Sequence, residues 1–309
     1  MPAVFRGQIP EAIAEWATKV YNNAYRSREQ ANIFRKVSKV MQTERAYEEA
    51  WEVSGLGTFF LKVEGTSISY DVPVQGNRTR HTVQTYALGC RYTHEMMQDD
   101  RWQVMEGMTT DLAHSGRHHQ EVLAHGPWND AFTGTTYTGL DGQPLCSANH
   151  TRLKLGTVQS NLLSPAADLS QAALEAVYTM GDLWTDDSGR YIPFNPTLLF
   201  SHPNYRFETH RLLQSEKEPY TSENQDNAIK SSLTGTTPLR SPYLTDPDAW
   251  FLIDTGVAEV IYWDRESNNG APIQRTGSDF NTMDVMVTAH YRAAVGFWRA
   301  DGIFGSSGA

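Results

Sequence analysis

The side chains best able to do chemistry cluster in one run: His114, Arg117, His118, His119 and His125. His114 and His118 stand four residues apart, so on a helix they share a face and could hold a metal ion. The zinc-hydrolase pattern carries Glu directly after the first His, and Ser115 stands there instead. His94-Glu95 has the Glu, but Gln98 occupies the second His position. One reading of the run is a metal-dependent hydrolase using the His114/His118 face; the other is a polar or pH-responsive helix face. Cys146, Asn149 and His150 have the types of a thiol-nucleophile triad. Such triads converge from distant segments, and three neighbours in sequence cannot easily meet. They read instead as a turn and strand with local hydrogen bonds. Asp186-Asp187 and Asp246-Pro247-Asp248 lack calcium-loop spacing and read as solvated acidic turns. No glycine-rich phosphate fingerprint follows a strand. No catalytic, cofactor or metal residue is therefore assigned, and an enzymatic role is not expected.

The elements that must carry these residues begin with helix. Ile13, Trp16, Val20 and Ala24 recur at helical spacing after Pro10, and Phe34, Val37 and Met41 form a second stripe. They suit either a bundle corner or an arm that docks on a neighbour. From Gly55 to about Tyr92 the pattern is a long hairpin, with strands expected at Thr58–Val63, Ser67–Tyr70 and His81–Tyr86. Such a ribbon is marginal alone, so it either joins a larger sheet or reaches another subunit. Arg78 and Arg80 beside His81 read as a basic tip, either solvated or paired with an acidic neighbour.

His94 to Ala124 is expected as one rod of about 45 Å, with Met97, Val104, Met105, Met108, Leu112, His119 and Val122 on its stripe, ended by Gly126-Pro127. Asp141-Gly142 closes a hairpin. Ser170 caps a helix to about Trp184; Thr197–Phe200 is a buried strand, and Pro203–Leu213 a helix. Ser215–Pro238 is expected as a mobile loop with a short helix. Trp250–Ile253 and Val257–Trp263 are core strands, and Met283–Phe304 a strand tied into a sheet.

A hydrophobic share of 39% over 309 residues suits a folded chain with a sizeable core. A net charge of -10 argues against a dedicated nucleic-acid binder. Cys90 and Cys146 are too few and too far apart for a disulfide framework or zinc site. No signal segment or apolar span stands out, so the chain is expected to be made and used in the cytoplasm, away from membranes.

Four stretches resemble the Mu-like major head subunit family of tailed bacteriophages. They are Asp141-Gly142 to His150, Gly156 to Ala167, Ser241-Pro242-Tyr243 to Leu252, and Tyr291-Arg292 through Gly296-Phe297-Trp298-Arg299 to Ala309. Cys146-Ser147-Ala148 departs from the family's frequent Phe-Ser-Thr, and Phe297 to Ala300 from its Trp-Ser-Asp-Trp-Arg.

The resemblance implies an α+β, Hong Kong 97-like capsid fold. It places an N-terminal arm at 1–53, an extended loop at 54–92, a peripheral domain with a spine helix at 93–164 and 276–309, and an axial domain at 165–275. It implies a virion protein, assembled in the host cytoplasm, that forms pentamers and hexamers of an icosahedral head. Scaffolding, portal and decoration proteins are its expected partners, with packaged double-stranded DNA touched without sequence specificity. In related shells the extended loop lies over an adjacent subunit, so Phe59, Phe60, Lys62, Arg78, Arg80 and Trp16 are candidate contacts between subunits. Some relatives crosslink a loop Lys to a neighbour's Asn; Lys62 is the ribbon's one Lys, but no partner Asn can be named. An encapsulin-type shell shares the fold and is the alternative.

Overall fold

The computed structural model describes residues 9–27, 32–99, 101–217, 226–267, 271–279 and 281–308. Two sheets organise the chain, and two two-stranded ladders lie outside them, the longer of which is the arm. The N-terminal elements are α1 (Ile9–Ser27), the single turn α2 (Phe34–Val37) and β1 (Lys39–Gln42). Met41 therefore lies in a strand, not in the second expected helix. On α1 the buried stripe is Ile13, Ala17, Tyr21 and Tyr25, one step round from the expected one; Trp16 and Ala24 flank it half-buried.

The arm pairs β2 (Tyr47–Val53) with β3 (Gln75–Thr82), and β4 (Gln84–Tyr92) turns away at buried Val83 to join the larger sheet. The expected strands 58–63 and 67–70 make no ladder: they are extended chain around a turn at Glu64-Gly65, where Gly65 has φ +80°. Alternation marked them as strands, but they have no flanking strand to bond.

The long rod is broken. α3 (His94–Gln98) is capped by the Thr93 side chain, and α4 (Trp102–Ala124) follows Arg101. At 1.5 Å per residue α4 spans about 35 Å rather than 45. It buries Met105, Thr109, Leu112 and Ala113 against α1 and the large sheet, while Val104 and Val122 of the expected stripe face outward. Pro127 lacks a donor and so suits a helix start; it opens α5 (Gly126–Asn129). Asp141-Gly142 makes a turn without strands on either side, Gly142 having φ +74°.

The chain then runs through β5 (His150–Thr151), β6 (Val158–Gln159) and α6 (Gln171–Asp182), capped by Ser170 as expected. Next come β7 (Leu198–Ser201), a 3-10 turn at Pro203–Tyr205, α7 (Arg206–Gln214), α8 (Ala228–Ser232) and β8 (Thr237–Arg240). Of the expected loop, 218–225 lie outside the described residues; the short helix expected in it is α8, and its end at Thr237-Pro238 opens β8. β9 (Trp250–Ile253), β10 (Val260–Glu266), β11 (Ile273–Ser278), β12 (Val285–Phe297) and β13 (Ile303–Ser306) complete the fold.

The larger sheet is built on β12. β4 pairs along one edge of it, β11 and then β10 along the other, with β1 parallel to β10 outside. The smaller sheet has order β13-β9-β7-β8. Its inner strands β7 and β9 lack alternation because both faces are covered: Phe251, Ile253, Phe200 and Ile303 face one core with Trp128, while Trp250, Leu252, Leu199 and Phe304 face another with α6 and α7. β9 and β10, read as neighbours in one unit, belong to different sheets. The last expected strand likewise splits, β12 in one sheet and β13 in the other. Gly302 (φ +74°) makes that crossing, and a Cβ there would stand 3.0 Å from Val257 Cβ. No helix among the described residues is long and apolar enough to cross a membrane.

Candidate functional site: the extended arm and the joint at its root

Residues 54–74 form the tip of the arm, and their apolar side chains face solvent. Phe59 is 106% exposed, Leu61 94% and Tyr70 90%, with Phe60, Val63, Ile68 and Val72 more than half exposed. An apolar surface this continuous marks an interaction site. Local bonds shape it: Ser54 pairs with Val74 through backbone and side chain, and Asp71 accepts from Gly57 N–H at 2.6 Å while pairing with Lys154. The Lys154 hydrogen bond, with that from Gly57, holds the Asp71 carboxyl below the usual carboxylate range.

The six expected contact residues fall in three places. Phe59, Phe60 and Lys62 lie on the exposed tip. Arg78 and Arg80 are not a tip; they sit in the body of β3, both paired with Glu49 across the hairpin. Arg78 lies over the Trp51 ring (5.4 Å) and Arg80 over Tyr47 (4.0 Å), contacts worth about 1 kcal/mol or less at exposed sites. Trp16 meets Trp102 of α4 edge-on at 5.6 Å, inside its own subunit.

The root of the arm is where chemistry gathers. His81 of β3 is wedged against Trp263 and Trp298, ring centroids 5.0 and 4.6 Å away, and burial lowers its pKa. Gly296 makes room for it, since a Cβ there would overlap the imidazole. Below lies a pocket of about 20 Å³, space for about one water, lined by Glu52, Asp141, His150, Arg152, Asp187 and Arg299 among others. Arg299 ties Asp187 to Asp301, the latter at 3.0 Å. Arg152 stacks over Trp184 at 4.1 Å and pairs with Asp301 at 3.6 Å, while Trp184 donates to Asp301 at 2.7 Å. His150 Nδ1 meets Asp141 at 2.6 Å and its Nε2 meets Asn161 Oδ1 at 3.0 Å. Burial would raise Asp141, but the His150 hydrogen bond and charge outweigh it and hold the carboxyl low. Asn161 also donates to the carbonyls of Leu145 and Ile303 and accepts from Ser147 N–H, stitching the central turn to β13.

The remaining candidates resolve individually. His118 faces the Tyr243 hydroxyl at 3.4 Å and His119 the Tyr291 hydroxyl at 2.5 Å. His125 is fully buried between the Glu121 carbonyl and the Ser241 hydroxyl. Among the described residues no group of His, Cys, Asp or Glu side chains is placed to hold a metal. Cys146 is buried in the core, where desolvation pushes its thiol far up, and His150 turns to Asp141 and Asn161 instead. Asp186 accepts from Ser188 and Arg190, and Asp246 from Asp248, each closing its own turn.

Sequence reasoning missed the joint. Glu52, Arg152, Trp184, Arg299 and Asp301 come from four separate segments, and no local spacing joins them. The resemblance in the blocks around His150 and Arg299 was the one signal near it.

An apolar arm on a two-sheet body with a spine helix is the architecture to set against solved structures. Solved structures carry the same fold. The asymmetric unit of the bacteriophage PhiM1 mature capsid matches with TM-score 0.55 and 13% identity over 88% of this chain and 85% of that one. A chain of Microbacterium phage Oxtober96 matches with TM-score 0.53 and 10% identity over 89% and 90%. The procapsid of bacteriophage JBD30 matches with TM-score 0.52 and 14% identity over 98% and 76%. No curated protein matches the sequence. A family profile described as phage capsid protein matches residues 76–305. The chain belongs to that family of structural virion proteins, and it is a major capsid protein with the Hong Kong 97-like fold.

Proposed function

We propose that this chain closes an icosahedral head of pentamers and hexamers in which each arm tip lies on an adjacent subunit. The observation that carries this is the tip itself, whose aromatic and aliphatic side chains at 59–72 have no covering in their own subunit. Burying them between subunits contributes roughly 25 cal/mol per Å² of apolar surface. Phe59, Phe60 and Lys62 are the leading contacts. Arg78 and Arg80, about half exposed beside Glu49, would form the rim. Trp16 serves the α1–α4 packing first.

In this reading the part that crosses subunits is the tip at 54–74, carried by the β2–β3 ladder on its own body, and the peripheral part includes β10 and β11 because both pair with β12. The axial part is the smaller sheet with α6 to α8. Scaffolding, portal and decoration proteins are the partners such a shell needs. A net charge of -10 suits a wall that encloses DNA without gripping it. Nothing in the geometry favours an encapsulin-type compartment over a phage head.

The test replaces 56–72 by a short Gly-Ser turn. The subunit should stay folded by circular dichroism yet form no closed shells under the electron microscope. Normal shells from that variant would sink the intersubunit role.

A further inference from the structure

We propose that Glu52 is a proton-dependent latch that sets the root of the extended arm on the body. The β2–β3 ladder slips register at Glu52: Trp51 pairs with Arg78 and Val53 with Gln75, so Gly76 and Asn77 of β3 together oppose Glu52. Glu52, on the same face of β2 as Glu48 and Ala50, is 7% exposed and lines the charged joint. Gly76 opposite is the matching half. A Cβ at Gly76 would overlap Glu52 Oε2 and approach Leu153 Cδ1 at 2.9 Å, so a side chain there would push the carboxyl aside.

The groups facing Glu52 come from every segment packed there. They are Asp141, His150 and Arg152 from the central turn and β5, Asp187 from the acidic turn, and Arg299 and Asp301 from the crossing between the sheets. Arg299 is already engaged by Asp187 and Asp301, and Arg152 by Asp301. Among the described residues, the sole hydrogen bond to Glu52 is a long one from Asn77 N–H at 3.4 Å. A docked, ionised Glu52 is thus desolvated beside two further carboxylates without a cation of its own, whereas the neutral acid fits. Burial, with Asp187 and Asp141, raises its pKa accordingly.

A raised carboxyl value means that docking is fullest below the ordinary glutamate value and weakens as pH climbs through the docked value. His81 acts in the opposite direction, since its lowered value loosens the root only on the acid side. The root therefore has a pH window, and the local charge at the joint tunes the angle at which the arm leaves the subunit. The consequence for a shell rests on the capsid reading; the latch itself is a property of one subunit.

The experiment is hydrogen exchange of the full-length chain between pH 4 and 7.5, corrected for intrinsic rates, with assembly state recorded by light scattering. Glu52→Gln keeps the shape and removes the titration, so comparing it with the wild type at each pH isolates this group from His81. Protection of 47–53 and 75–82 should be equal in the two proteins at pH 4. At pH 7.5 the variant should be the better protected, by about tenfold for each unit by which docking raises the carboxyl. Gly76→Ala, which evicts the carboxyl, should be poorly protected throughout. A wild-type-to-variant ratio that stays near one at all pH, or a variant less protected at pH 7.5, overturns the latch whether or not shells form.

Discussion

His125 shows how much one buried side chain reveals. With Nδ1–H donating to the Glu121 carbonyl at 2.7 Å and Nε2 accepting from the Ser241 hydroxyl at 2.9 Å, the neutral ring has both nitrogens satisfied. Burial pushes its pKa down to about 4, against an ordinary 6.5. The unfolded chain therefore takes up the proton first. Stability from this group is complete above pH 6.5 and is lost as pH falls toward 4, by about 3 kcal/mol. Urea unfolding at pH 7.5 and 4.5 should show that loss, and His125→Gln should flatten it. Glu121 beside it is a different device: its carboxylate accepts the N–H groups of Ile33 and Phe34 and so anchors α2 to the spine. In sequence His125 stood in a run that could have held a metal, and Glu121 drew no notice. Their partners Ser241, Ile33 and Phe34 lie 87 to 116 residues away, so only the fold discloses that they are structural.

At the scale of elements, α4 carries Gly107 on its exposed side with nothing within 4 Å of a built Cβ. Gly107→Ala should therefore stabilise by about 1 kcal/mol through helix propensity alone, read as a rise in the unfolding midpoint. β13 is the reverse case. Phe304 and Ile303 are fully buried, one in each core, and β13 pairs with β9. Truncation after Trp298 should leave the chain insoluble or molten, judged by near-ultraviolet dichroism and expression in the soluble fraction.

Continuous apolar runs such as Trp250–Ile253 were legible in sequence because a short aromatic and aliphatic run bounded by turn residues suits a strand buried on both faces. The Ser170 cap and the existence of α1 and α4 were legible for similarly local reasons. The arm's strands were displaced because the alternating segments at 58–70 have no flanking strand to bond, and the ladder forms at 47–53 and 75–82 instead. Which sheet β10 joins was invisible, since Asp254-Thr255-Gly256 allows either continuation. The joint around Glu52 was equally hidden, being assembled by topology from segments with no common spacing.

For the whole molecule, the two sheets and the spine form the body, and the arm projects from the joint where those sheets meet. The tip exposes Phe59, Leu61 and Tyr70, which in the proposed head would be covered by a neighbouring subunit. In the proposed latch the joint sets how the arm leaves the body. The most direct measurement is cryo-electron microscopy of the particles formed by the purified chain, with mass from light scattering. Closed shells with density for 56–72 lying on the neighbouring subunit are the expected result. Small discrete species in the presence of any required scaffold, or shells in which the tip folds back on its own subunit, would contradict it.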